Sequence, residues 1–307
     1  MRWLSRVPSR LTAILAAVTV LFLFVVPMIF IGVYSVYEYS PLKIYIPGFT
    51  MENYAVMFSD SFNRSVLIRT LWLASAATGI CLIIGYFMAL YMRTAGQKER
   101  ALIALVALIP VLLSDVVLAY AWLVLLSRTG PVSSLLEATG VTELPSTIVG
   151  TETAILLGLV YHGIGYMILN LHSALEAIGD SEHRAAAMLG AGPVSRFFRV
   201  TLPMSLPGAV SGVLITFAVN ASAFVIPKML GGASNPVLPV FVYNQNVFLL
   251  NWPVGAAATI ILLVISMSTA FGLLRIGRGS DDDSKTNRRG RKRQALREPE
   301  LMGVLHA

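Results

Sequence analysis

Apolar residues gather in long stretches separated by short polar segments. Such stretches lie near 11 to 37, 66 to 92, 101 to 126, 151 to 171, 206 to 227 and 255 to 276. Each reaches the roughly 20 predominantly apolar residues that a bilayer-crossing helix requires. The pattern predicts an all-α integral membrane protein with six transmembrane helices. The fourth stretch is the least uniform, interrupted by His162, Gly163, Gly165 and Asn170. The first follows Arg2, Arg6 and Arg10 in the manner of a signal peptide. Its apolar run exceeds the roughly 7 to 15 residues of a cleavable core, so it predicts an uncleaved anchor.

Composition agrees with the pattern. Of 307 residues, 56% are hydrophobic and 13% charged, against about a quarter charged in a soluble domain. That excludes a soluble enzyme. The formal net charge of +7 points first to orientation and anionic lipid, and only second to nucleic acid. The single cysteine, Cys81, lies inside an apolar run, which leaves no disulfide framework and no paired-cysteine zinc site.

Basic residues are unequally shared between the two sides. With the N-terminus inside, 18 of the 23 Lys and Arg fall on inner segments, and only Lys43, Arg64, Arg69, Arg128 and Lys228 fall outside. Both termini are therefore expected in the cytoplasm. The expected organisation is a cytoplasmic N-terminus (1–10), a first helix with a periplasmic loop (11–65), a five-helix core (66–276) containing an inner loop (172–205), and a basic tail (277–307). That tail holds Asp281 to Asp283 and the cluster Arg288, Arg289, Arg291, Lys292 and Arg293. It is expected to be disordered and to touch anionic lipid; no folded platform for specific nucleic acid accompanies its charge. The outer segment 41–60 reads as a short extended or helical cap carrying Tyr45 and Tyr54. No internal repeat supports an inverted-repeat secondary transporter.

The inner loop is far longer than the few residues needed to join neighbouring helices. Asp180 or Ser181 can N-cap a short helix with Ala185, Ala186, Met188 and Leu189 near one face, and Gly190 or Gly192 can supply the positive-φ residue that ends it. Pro193 then starts a second short helix bearing Phe197 and Phe198 beside Arg196 and Arg199. The result is either a knob that a partner receives, with alanines allowing close approach and phenylalanines filling a pocket, or an amphipathic hairpin lying on the inner leaflet.

Arg184-Ala185-Ala186, then Leu189-Gly190-Ala191, then Thr201-Leu202-Pro203 through Gly208 resemble the signature loop of the permease subunits of ATP-binding-cassette importers. In that loop Glu-Ala-Ala is followed by Gly and later by Leu-Pro. Arg184 stands where the family has glutamate. Further stretches resemble the spermidine/putrescine branch: Cys81-Leu82 to Ala89-Leu90, Ala119 to Trp122, Phe224 to Gly232, and Asn251 to Ala257. The resemblance implies a type I importer permease fold in a bacterial inner membrane. The implied partners are a cytoplasmic ATPase dimer, a second homologous permease or a second copy of this chain, and a periplasmic solute-binding protein. ATP and magnesium would be bound by the ATPase and no cofactor by this chain. The coupling residues it implies are Arg184, Ala185, Ala186, Leu189, Gly190, Phe197, Phe198, Leu202 and Pro203.

The sequence itself contains no GxxxxGK[ST] phosphate loop and no HExxH pattern, so the chain is not expected to hydrolyse ATP or act as an enzyme. His162 and His172 read as helix-packing histidines, since no carboxylate or cysteine sits at ligand spacing. Candidate pathway groups are Asp115, Asn220 and Ser222. Asp115 is the one acid expected well inside a span, where an unpaired carboxylate is costly; it can attract a cationic solute, pair with an arginine of the second permease, or sit at a helix break after Pro110. Gly208 and Gly212 have the spacing of a helix-contact pair.

A polyamine is the leading substrate, with an opine, another amino compound or a phosphonate as the alternative. Polyamine members carry acids where this chain has Ala223 and Lys228, and an arginine where it has Leu118. A self-sufficient channel or secondary transporter is the competing class, disfavoured by the scarcity of intramembrane charge. A membrane enzyme or sensor lacks both catalytic residues and a soluble domain.

Overall fold

The computed structural model describes residues 9–138 and 148–275. The N-terminal Arg2 and Arg6, and the tail with its aspartate run and basic cluster, lie outside the described residues. In chain order the elements begin with helix α1 (Ser9–Ser35), the antiparallel hairpin β1 (Glu38–Ser40) and β2 (Ile44–Ile46), α2 (Glu52–Ser59) and α3 (Ser61–Thr94). Next come α4 (Gln97–Leu112), α5 (Asp115–Leu126), α6 (Pro131–Ala138), α7 (Glu152–Glu176), α8 (Asp180–Met188) and α9 (Pro193–Arg196). A π-helical turn (Phe197–Thr201) leads into α10 (Leu202–Ser222), followed by α11 (Val225–Leu230), α12 (Leu238–Tyr243) and α13 (Trp252–Arg275). The segment 41–60, expected to be extended or helical, is both.

Among the described residues six stretches are long and apolar enough to cross a membrane: Ala17–Ser35, Ser61–Thr94, Asp115–Leu135, Glu152–Glu176, Pro193–Ser222 and Trp252–Arg275. The count matches the sequence reading, but the third span does not. The single helix expected over 101–126 is two, α4 and α5, parted where Leu113 and Ser114 turn extended. Ser114 Oγ accepts the Val116 N–H at 3.4 Å and so caps α5, and Asp115 occupies the first turn, where a negative charge faces the positive end of the helix dipole.

The described chain forms two compact units. The first comprises 9–69 and 236–265. Its core packs Met57, Val66 and Leu67 against Leu238, Phe241, Val254, Ala258 and Ile261. The end of α1 leaves carbonyls without intrahelical partners, and buried Asn53 on α2 answers one of them: its Nδ2 donates to the carbonyl of Ser35, and also to that of Tyr37 just beyond the helix, each at 2.9 Å. Ser35 Oγ and the Tyr54 hydroxyl meet at 2.8 Å. Tyr34 packs edge-on against Tyr37, Tyr45 and Trp252 at centroid distances of 5.0 to 5.9 Å, the kind of aromatic collar found at a bilayer boundary.

The second unit comprises 70–138, 148–235 and 266–275, with α7 at its centre. Ile155, Leu159, Met167, Leu171 and Leu175 of α7 are almost wholly buried. In a bilayer lipid tails are as apolar as leucine, so close backbone approach does more than hydrophobicity to hold helices together. The Gly208 and Gly212 pair fulfils that expectation. A Cβ at Gly208 would run into Ala174 of α7, and one at Gly212 would crowd Met167 and Asn170. On another side of α7, a Cβ at Gly165 would strike the carbonyl oxygen of Ala107 on α4. These small residues set how near α4 and α10 come to α7.

Candidate functional site

Two helices joined at a glycine corner form in the inner loop, with three differences from the expected arrangement. Helix α8 is N-capped by Gly179 rather than by Asp180 or Ser181, so Asp180 becomes the first helical residue. Its end is decided at Gly190, with φ of +76°, whereas Gly192 has an ordinary negative φ. The Ala191 N–H returns to the Ala186 carbonyl at 3.1 Å and the Gly190 N–H to the Ala187 carbonyl at 3.0 Å. This is the paired bonding of a Schellman corner, which favours a residue without a Cβ.

The second difference is that the helix starting at Pro193 does not stop. Through the π turn it passes into α10, giving one continuous span of 30 residues, Pro193–Ser222. Pro203 has no N–H for the carbonyl four residues back, and the wider turn just before it accommodates the proline without breaking the helix. Leu202 and Pro203 therefore sit inside this rod, at the start of α10, rather than beyond a separate short helix.

Third, the two phenylalanines differ in exposure although their rings meet edge-on with centroids 5.0 Å apart. Phe197 packs edge-on against Tyr86 of α3, with centroids 5.7 Å apart, and so is committed to its own unit. Phe198 is 60% exposed. With Met188 and Leu189, both nearly 90% exposed, it gives the loop an outward apolar surface. Arg184, Ala185 and Gly190 are exposed there too, while Ala186 is half-buried. Met188 belongs on this surface although the motif does not single it out. The Tyr86 hydroxyl also meets Ser205 Oγ at 2.6 Å, anchoring the start of α10 to α3.

The pathway candidates separate. Asp115, at the break between α4 and α5, lies 3.6 Å from His162 Nδ1 of α7, beyond hydrogen-bond length. His162 is buried at 7% exposure and that nitrogen has no hydrogen-bond partner. The next residue, Gly163, looks at α10: a Cβ there would meet Thr216 and the Asn220 amide. Asn220 is 3% exposed, with neither end of its amide paired, and the Thr216 hydroxyl is also unpaired. Consecutive α7 residues thus flank Asp115 and Asn220, whereas Ser222 is exposed and turns its hydroxyl back to the carbonyls of Ala218 and Val219. His162 and Thr216 are the members that sequence reasoning did not assign to this cluster. Among the described residues no group of three or more His, Cys, Asp or Glu could hold a metal ion.

Known proteins give this arrangement a context. Over 218 residues, 71% of this chain and 76% of the relative, the chain is 30% identical to the spermidine/putrescine transport system permease protein PotB of Haemophilus influenzae. Identity to the Escherichia coli protein of that name is 29%, over 58% of this chain and 64% of the relative, so the chain spans a little under two thirds of that relative. The molybdenum transport system permease protein ModB of Mycobacterium bovis is 33% identical over 53% of this chain and 60% of its own length. In fold, the chain is similar to a bacterial ABC transporter that imports the acidic polysaccharide alginate, with a TM-score of 0.72 at 17% identity, covering 87% of this chain and 94% of that one. It is also similar to the inward-facing MetNI methionine ABC transporter, with a TM-score of 0.51 at 19% identity, covering 70% and 96%. Residues 81–278 match the family described as the binding-protein-dependent transport system inner membrane component. That match takes in the continuous helix, the Schellman corner and the polar cluster around α7, and the chain belongs to this family of importer permeases.

Proposed function

We propose that this chain is the permease subunit of an ATP-driven importer, set in a bacterial inner membrane with both termini in the cytoplasm, and that its solute is a small cationic amine, with a polyamine such as spermidine or putrescine first in line. The observation that carries the mechanism is the exposed apolar surface at 180–198, whose second half, from Pro193, lies on the same helix as the fifth span and whose first half is joined to it through the Gly190 corner. A cytoplasmic ATPase dimer that grips Met188, Leu189 and Phe198 moves α10 directly, and α10 bears Asn220 beside α7. The other partners are a second permease, homologous or identical, and a periplasmic solute-binding protein.

The amine reading is supported by the similarity to a spermidine/putrescine permease over 71% of this chain, against 53% for the molybdenum relative. It is also supported by Asp115, whose half-exposed carboxylate offers a negative charge at a helix break. Ala223 and Lys228 weigh for another amino compound, an opine or a phosphonate. The test is uptake of labelled putrescine, spermidine and a phosphonate by cells carrying this permease with its ATPase, second permease and binding protein. Putrescine or spermidine should accumulate, and Asp115→Asn should lower that accumulation at least about tenfold, the scale of one lost charge contact, with ATPase co-purification unchanged. Accumulation of the phosphonate alone would remove the amine reading. Wild-type uptake by Asp115→Asn would remove the role of Asp115.

A further inference from the structure

A pocket of about 540 Å³ opens in the second unit between the last turn of α3 and the start of the Pro193 helix, lined by Leu90, Arg93, Thr94, Arg196, Phe197 and Thr201 among others. Its chemistry is two-sided: Leu90 and Phe197 supply apolar wall, while Arg93 and Arg196 supply two guanidinium groups. Arg93 is held in place by donating to the Ile178 carbonyl at 2.9 Å. Arg196 is half-buried, and its Nε is buried with no hydrogen-bond partner. A buried guanidinium N–H without an acceptor is costly, and the acceptor that suits such a fork is a carboxylate or phosphate.

The position of the pocket selects between these. Helix α3 has 34 residues, about 51 Å of length, against a hydrocarbon core about 30 Å thick. Its last turn is where the apolar run gives way to Arg93, Thr94, Gln97, Lys98 and Arg100, the depth of lipid phosphates. The outward apolar surface of the loop is made by Met188, Leu189 and Phe198, none of which lines the pocket. We propose that this pocket binds a phosphate group, supplied by the headgroup of an anionic phospholipid, with Arg93 and Arg196 on the phosphate and the upper acyl chain against Leu90 and Phe197. The site depends only on the chain being membrane-embedded, so it stands or falls separately from the solute and the ATPase.

The test uses the full chain in phosphatidylcholine nanodiscs doped with phosphatidylglycerol, reading retained lipid by native mass spectrometry. Wild type should retain phosphatidylglycerol over phosphatidylcholine. Arg196→Gln should reduce that preference about tenfold, the scale of one charge-assisted hydrogen bond. Arg199→Gln removes the same charge from an exposed neighbour and should leave the preference intact. Equal losses in both variants, or none in either, would overturn the site. In undoped nanodiscs inorganic phosphate should not bind saturably; if it does, and Arg196→Gln abolishes that binding while phosphatidylglycerol shows no preference, the lipid source is overturned. Loss of phosphatidylglycerol preference on adding the ATPase subunit would assign the pocket to an acidic side chain of that partner and overturn the proposal.

Discussion

Replacing Gly190 with valine is expected to lower uptake at least about tenfold and to strip the ATPase from the purified complex, while the amount of permease in the membrane stays the same. The residue sits at φ of +76° in a corner closed by two backbone hydrogen bonds. A left-handed conformation costs a side-chain-bearing residue about 1–2 kcal/mol, and a β-branched residue is a greater misfit there. The corner lies outside the spans, so valine relaxes it locally and swings α8 away from α9 without disturbing α7 or its neighbours. Asparagine tolerates this conformation, so Gly190→Asn should keep most of the activity. The pair of variants separates corner geometry from loss of a small residue. If Gly190→Val copurifies with the ATPase and transports normally, the corner has no part in coupling.

The second large effect concerns stability. Gly165→Ala should destabilise the chain by about 1–3 kcal/mol or more, because the added methyl meets the Ala107 carbonyl oxygen and Val111 beyond it. Backbone cannot yield as a side chain can. Gly212→Ala is the matched comparison, since its methyl would meet the flexible sulfur end of Met167 at 3.0 Å, and it should cost clearly less. Thermal unfolding of the detergent-solubilised chain, followed by fluorescence-detected size exclusion, reads both. Equal shifts in the two variants would mean that α4 does not approach α7 as closely as Gly165 requires.

Span count was legible because a bilayer imposes a one-dimensional requirement, length of apolar run, which needs no knowledge of partners. The third span was misplaced for the same reason: the run is apolar on both sides of the Leu113–Ser114 break, so hydropathy passes over it. The local signal was Ser114-Asp115, cap chemistry four residues after the buried Pro110. In the inner loop, Gly190 and Gly192 were equally good stops on composition, and the positive φ of Gly190 with the hydrogen bonds to Ala186 and Ala187 distinguishes them. The helix begun at Pro193 was expected to be short, yet Pro203 near the start of α10 is absorbed by the π turn and the helix runs on. The approach of His162 to Asp115, and of Gly163 to Thr216 and Asn220, joins residues about fifty positions apart. No local pattern encodes such a meeting.

Because α8's neighbour and the fifth span share one helical course, their angular phase is locked. In a loop joined to its span by coil, an added residue is taken up by slack. Here an insertion between Pro193 and Gly208 would turn everything beyond it by about 100°, carrying Gly208 and Gly212 off α7 and Asn220 off Gly163. The π turn at Phe197–Thr201 is wider than its surroundings by one residue, the size of such an insertion. It is where the rod already holds a phase correction, and trimming one residue from it would misalign the loop and the span as surely as adding one elsewhere.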